Sequence, residues 1–199
     1  TVFFIEIDRQ TDSDVIDSFK RELESVLVDV STAVEDWQPI REKLIAVSKE
    51  LPDRKQHTNE IEVAETVEFL DWLVKDNFTL MGYRQYDLQP VQGDYQLKGK
   101  METSLGLMKN VTDDHTRLLS ELPEVARQEA RSSNLLILTK TNSLSRVHRP
   151  AYIDYVGVKR FDDEGNVIGE DRFIGLFSSS FYNNSAADVP VLKSKINRI

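Results

Sequence analysis

Apolar residues recur every three or four positions through the first part of the chain, at Ile16, Phe19, Leu23, Val26, Val30, Val34 and Trp37. That spacing predicts one long amphipathic helix. Thr11, Asp12, Ser13 and Asp14 precede it, and their side-chain oxygens suit the unpaired N–H groups of a first helical turn. Pro39 fits the first turn of a second helix carrying Ile40, Leu44, Val47 and Leu51, which Pro52 ends. Residues 2–8 instead have the β-branched and aromatic content of a strand. One strand and two helices make no sheet, so residues 1–51 read as the tail end of a domain that begins upstream.

Residues 52–59 form a polar, proline-flanked connector and mark a domain boundary. Beyond it, Ile61, Ala64, Val67, Leu70 and Val74 make a helical stripe that Phe69, Trp72 and Leu73 widen. The period then becomes two, placing Phe78, Leu80, Gly82, Tyr86 and Leu88 on one strand face. Gly93 and Asp94 turn the chain into a short strand at 95–97. Residues 118–131 read as a helix, with Pro123 inside it or at its start. Residues 135–139 are apolar on both faces, the mark of an inner strand. Two long strands at 151–161 and 167–177 flank the glycine-bearing loop 162–166 as a hairpin. The second has apolar side chains on both faces at 173–177, so something must cover it twice: a helix of this chain or a surface outside it. The order of elements predicts an α+β fold, a mostly antiparallel sheet with packed helices, similar to PAS-like sensory modules. Residues 60–182 would be that module, and 183–199 a C-terminal loop and basic segment.

The 199 residues are 40% hydrophobic, enough to fill a core, and include no cysteine, which removes disulfides, zinc ribbons and thiol nucleophiles. A formal net charge of −9 argues against binding nucleic acid through its phosphates, and aromatics do not interleave with the basic residues. No apolar run approaches the roughly 18 residues that cross a bilayer. A cytoplasmic protein is expected, with no membrane and no nucleic-acid partner.

Candidate chemistry is sparse. The eight glycines form neither GxGxxG nor a Walker A loop, and His57, His115 and His148 have no HExxH or HxH spacing. His57 falls in the polar connector; His115 lies beside Asp113 and Asp114, a weak metal cluster or a helix-capping run. No catalytic or metal residue is assigned. Lys140, Arg146, His148 and Arg149 concentrate positive charge on an acidic chain. They suit a carboxylate or phosphate effector, or else a solvated loop or an intersubunit salt-bridge surface. Arg84 falls on the apolar strand face, where a guanidinium needs a partner. An internal carboxylate, Asp154 or Glu170, would serve, and so would a ligand's carboxylate, as in an amino-acid sensing module of a signalling protein.

Several strings resemble the large bacterial NAD-specific glutamate dehydrogenases: Ile5-Glu6-Ile7-Asp8-Arg9-Gln10-Thr11-Asp12, Val34-Glu35-Asp36-Trp37, Phe69-Leu70-Asp71-Trp72-Leu73 and Phe78-Thr79-Leu80-Met81-Gly82-Tyr83-Arg84. Leu105-Gly106-Leu107, Thr139-Lys140-Thr141-Asn142, Ser145-Arg146-Val147-His148-Arg149-Pro150 and Arg172-Phe173-Ile174-Gly175-Leu176-Phe177 extend the resemblance over almost the whole chain. It implies the N-terminal, noncatalytic region of an enzyme that oxidatively deaminates L-glutamate to 2-oxoglutarate and ammonium with NAD. Residues 1–51 would then end an ACT-like module and the remainder form a PAS-like one, serving regulation and subunit assembly. NAD would belong to the parent enzyme, not to this segment. The implied partners are the downstream catalytic part of the same polypeptide, further copies in a homo-oligomer, and an amino-acid effector.

Overall fold

A computed structural model describes residues 2, 4–54, 59–112, 118–179 and 189–190. Helix α1 spans Ser13–Glu35, and Asp12 caps it by accepting the Asp14 N–H at 2.9 Å, as the capping run predicts. Helix α2 spans Trp37–Glu50 and buries the expected Ile40, Leu44 and Val47, with Leu51 just beyond. Helix α3 spans Glu60–Trp72, with Asn59 accepting the Glu62 N–H at 2.8 Å. The strands are β1 (Phe78–Val91), β2 (Asp94–Gly99), β3 (Leu105–Gly106), β4 (Leu136–Leu144), β5 (Tyr152–Phe161) and β6 (Val167–Phe177). Short helix α4, Glu124–Arg131, starts after Pro123, which resolves the position of that proline.

The strands pair antiparallel in the order β2-β1-β6-β5-β4, with short β3 added along β1. The α+β expectation of a mostly antiparallel sheet with packed helices therefore holds. Gln92 and Gly93 both have positive φ, 50° and 85°, and so form the primed two-residue turn whose twist suits the β1–β2 hairpin. On one sheet face lie Phe78, Tyr83, Val156, Val158 and Phe173, packed against Ile40, Leu44, Phe69 and Leu70 from α2 and α3. That core joins residues from both sides of the 52–59 connector. On the other face, Met81 and Leu176 meet Ala33 of α1, and Tyr86, Ile153 and Ile174 meet Met108. Both covers of β6 thus come from within the chain.

Four expectations change. Residues 2 and 4–12 hold no strand: Phe4 is 92% exposed and, among the described residues, no neighbouring strand accepts this segment. The buried face of α3 is Thr66, Phe69 and Leu70, while Ile61 and Ala64 of the expected stripe are exposed. Residues 135–139 enter an edge strand, not an inner one. Leu135 is fully buried just before β4, but Leu138 points out at 41% exposure, so the apolar run reflects the entry to the strand.

The fourth concerns β1. Its pairing with β6 slips between Leu80 and Gly82, a bulge that inverts the alternation. Phe78 and Leu80 therefore pack with the α2–α3 side, while Tyr86 joins the opposite face, and the single apolar face read from period two is split.

Because β2 and β4 occupy opposite edges, the chain between them must cross the sheet. Its first part, Met101–Thr103, β3 and Leu107–Asn110, is pinned where α1 meets α2. Asp36 accepts the Gly106 N–H at 2.7 Å and pairs with Lys109 Nζ at 2.6 Å. Burial alone would raise the Asp36 pKa, but these two donors outweigh it and hold the carboxyl below its ordinary 3.8. Gly106 has φ 57°, and a Cβ there would collide with the Met81 carbonyl oxygen.

Gly106→Ala is expected to cost roughly 2–4 kcal/mol in thermal or urea unfolding, combining left-handed strain with a backbone clash. The depressed Asp36 pKa also fixes a sign: its stabilisation is complete above the unfolded value and disappears as pH falls through the folded one. Asp36→Asn should therefore lower stability at neutral pH and flatten its decline below about pH 4, measured by unfolding at a series of pH values.

Candidate functional site

Glu170 and Arg172 stand two apart on β6 and so share a sheet face, the one opposite α2 and α3. Tyr155 on β5 and Tyr86 on β1 reach the same place from the neighbouring strands. The Arg172 guanidinium lies 3.7 Å from the Tyr86 ring centre and 4.8 Å from that of Tyr155, held by both π faces. Its Nε donates to Glu170 Oε1 at 2.8 Å and its Nη2 lies 2.6 Å from the same oxygen, to which the Tyr155 hydroxyl also donates. Burial alone would lower the Arg172 pKa, yet Glu170 and the two tyrosines raise it, so the guanidinium stays charged. Burial and then the Glu170 carboxylate push the Tyr155 phenol well above its ordinary 10.0, so it remains a donor.

Arg172, Tyr155 and Tyr86 form the inner wall of a cavity of about 400 Å³ between the sheet, the 107–111 segment and the 141–147 stretch. Ile153, Ile174, Leu107 and Met108 give it an apolar floor. Arg146 and Asp29 of α1 stand among its lining residues as an ion pair, 2.5 Å apart.

The residues singled out in the sequence are dispersed. Arg84 is buried at 1% exposure, and neither expected carboxylate is its partner. Asp154 takes Lys140 at 2.5 Å and the Phe177 N–H at 3.1 Å, while Glu170 takes Arg172 and Tyr155. Arg84 Nε instead donates to Ser104 Oγ at 2.7 Å, and its Nη2 to the carbonyls of Met108 and of Val111, the latter at 2.7 Å. It fastens the crossing segment to the sheet. Lys140 sits on edge strand β4 beside Asp154. Arg149 donates to the Phe177 carbonyl at 2.7 Å, tying the 145–150 loop to the end of β6. His148 is exposed, with φ 69°. Of the basic group, only Arg146 lines the cavity.

His57, and His115 with Asp113 and Asp114, lie outside the described residues, as does all of the C-terminal segment expected at 183–199 except residues 189–190. Among the described residues no group of three His, Asp or Glu side chains is placed to hold a metal ion, and no helix is long and apolar enough to cross a membrane. Reading the residues singly missed Arg172, Tyr155 and Tyr86 as one unit. The available signal was the i, i+2 spacing of Glu170 and Arg172 on a strand; pairing with Tyr155 and Tyr86 needs the register of three strands.

No family model matches the chain. It is 34% identical over 197 residues to an NAD-specific glutamate dehydrogenase of Halomonas elongata and 30% identical over 199 residues to one of Pseudomonas aeruginosa. A third, from Mycobacterium tuberculosis, is 26% identical over 129 residues. The first two alignments take in 98% and 100% of this chain but 12% of each relative, and the third 65% and 7%. The resemblance read from the strings is thus confirmed: along its length the chain is similar to one segment of NAD-specific glutamate dehydrogenases and spans about an eighth of the relatives it matches.

Arg84→Met would strand the buried Met108 carbonyl, the part-buried Val111 carbonyl and the Ser104 hydroxyl without their donor. The expected loss is about 2–4 kcal/mol with a lower melting temperature, whereas Lys140→Ala at the exposed edge should cost less than about 1 kcal/mol. Equal melting temperatures for the two variants in calorimetry would contradict this account of Arg84.

Proposed function

We propose that this chain is a noncatalytic regulatory and assembly region, from the N-terminal part, of a large NAD-specific glutamate dehydrogenase. The parent enzyme oxidatively deaminates L-glutamate to 2-oxoglutarate and ammonium, and it holds NAD in a part of the polypeptide outside this segment. The observation that carries this reading is the extent of the similarity: it runs the whole length of this chain and occupies 12% of the relatives. The full sequence also has no dinucleotide-binding glycine motif.

Residues 60–182 make the PAS-like module. The antiparallel sheet supports this, with its last strand beside its first and the helical crossing over one face. Residues 1–51 end the ACT-like module and link the two. Assembly draws support from α1, which packs Val30 and Ala33 near its C-terminal end and, among the described residues, leaves Phe19 at 41%, Val28 at 58% and Val34 at 61% exposure. Such a surface suits a second copy in a cytoplasmic homo-oligomer, or the catalytic part of the same polypeptide.

The purified 199-residue chain is expected to form no NADH from glutamate and NAD, followed by absorbance. NADH formation by the pure chain would end this reading. In the parent enzyme, Val28→Ser with Val34→Ser should shift the sedimentation coefficient toward smaller species while leaving the glutamate KM unchanged. An unaltered coefficient would remove the assembly role of α1.

A further inference from the structure

The cavity beside Arg172 has an uncommon balance of charge. Arg146 and Asp29 line it as an ion pair, and Arg172 lines it with its charge met by Glu170 behind the wall, so the charged groups cancel. An anion such as phosphate or a dicarboxylate would find no net positive field there, and a cation no net negative one. The Arg146–Asp29 pair instead offers a donor and an acceptor side by side. Next to them the floor of Ile153, Ile174, Leu107 and Met108 is apolar, and the volume of about 400 Å³ falls within the range of small-molecule sites.

A ligand matching this surface carries one positive and one negative group at one end and a hydrocarbon or aromatic body at the other. We propose that the cavity binds an α-amino acid with an apolar side chain. Arg146 takes its carboxylate, Asp29 its ammonium, and the floor its side chain. The Arg146–Asp29 pair links α1 to the 145–150 loop, and an entering zwitterion exchanges each partner for one of its own charges, so no ion is left unpaired. Behind it, Arg172 is held charged and oriented by two rings and Glu170, a rigid wall costing little reorganisation on binding. Arg84, the residue the sequence offered for this task, lends its Nε and Nη2 to the protein itself.

The inference rests on the regulatory reading only for what the ligand would control; binding is measured separately. Calorimetric titration of the 199-residue chain is the test, with L-leucine, L-methionine and L-phenylalanine against L-glutamate, 4-methylpentanoate and isopentylamine. At least one apolar amino acid should bind at least tenfold more tightly than L-glutamate and than either single-charge analogue. Arg146→Gln and Asp29→Asn, both at the rim and checked for folding by circular dichroism, should each weaken it tenfold or more, since each removes a charge-assisted hydrogen bond. Silence from all three amino acids, equal binding of 4-methylpentanoate, or affinity unchanged in both variants would overturn the proposal. Binding as expected, with no effect of the same amino acid on glutamate-dependent NADH formation by the parent enzyme, would leave the site in place and remove the regulatory reading instead.

Discussion

Strand β6 carries Phe173 and Phe177 on one face and Ile174 and Leu176 on the other, in the middle of the sheet. Burying both rows requires two separate covers, and this requirement organises the molecule. Helices α2 and α3 supply one with a broad apolar surface. The other is pieced together from the end of α1, the 101–111 segment and the 145–150 loop, none of which is apolar enough to hold its place by area alone. Polar fasteners therefore secure it: Arg84 to Ser104 and two carbonyls, Asp36 to Gly106 and Lys109, Arg146 to Asp29, and Arg149 to the end of β6.

A cover assembled in pieces leaves gaps, and the cavity lies where three of them meet. This explains why its walls hold both a hydrophobic floor and charged pairs. The floor belongs to the sheet, and the charges belong to the fasteners and to the Arg172 cluster. The bulge at Met81 is part of the same arrangement. It turns Met81 and Tyr86 toward the second cover while Phe78 and Leu80 stay with the first, so one strand serves both layers. Any ligand in the cavity would press on fasteners reaching α1, where Phe19, Leu27, Val28 and Val34 are exposed.

Much of this was legible beforehand. The Asp12 cap, the α2 stripe ending at Pro52, the β5–β6 hairpin and the doubly apolar 173–177 run each depend on a few adjacent residues, and local periodicity and capping chemistry report those directly. The family resemblance was legible for the same reason, being carried by contiguous strings. The strand expected at 2–8 is not formed by the described residues there, because strand-forming residues need a neighbour to pair with, which residue types alone do not provide.

What the linear pattern determined, then, is which stretches are helical or extended and that β6 needs two covers, since periods of 3.6 and 2 are intrinsic to the backbone. Only the tertiary structure decided which residues face which cover, because a one-residue bulge inverts every later position on β1 without a mark in the periodicity. It also decided the site. Arg84 and Arg172 are both arginines on inner strands. One points at carbonyls of the crossing segment and the other between two tyrosines and a carboxylate, a difference set, Glu170 apart, by residues 17 to 86 positions away along the chain.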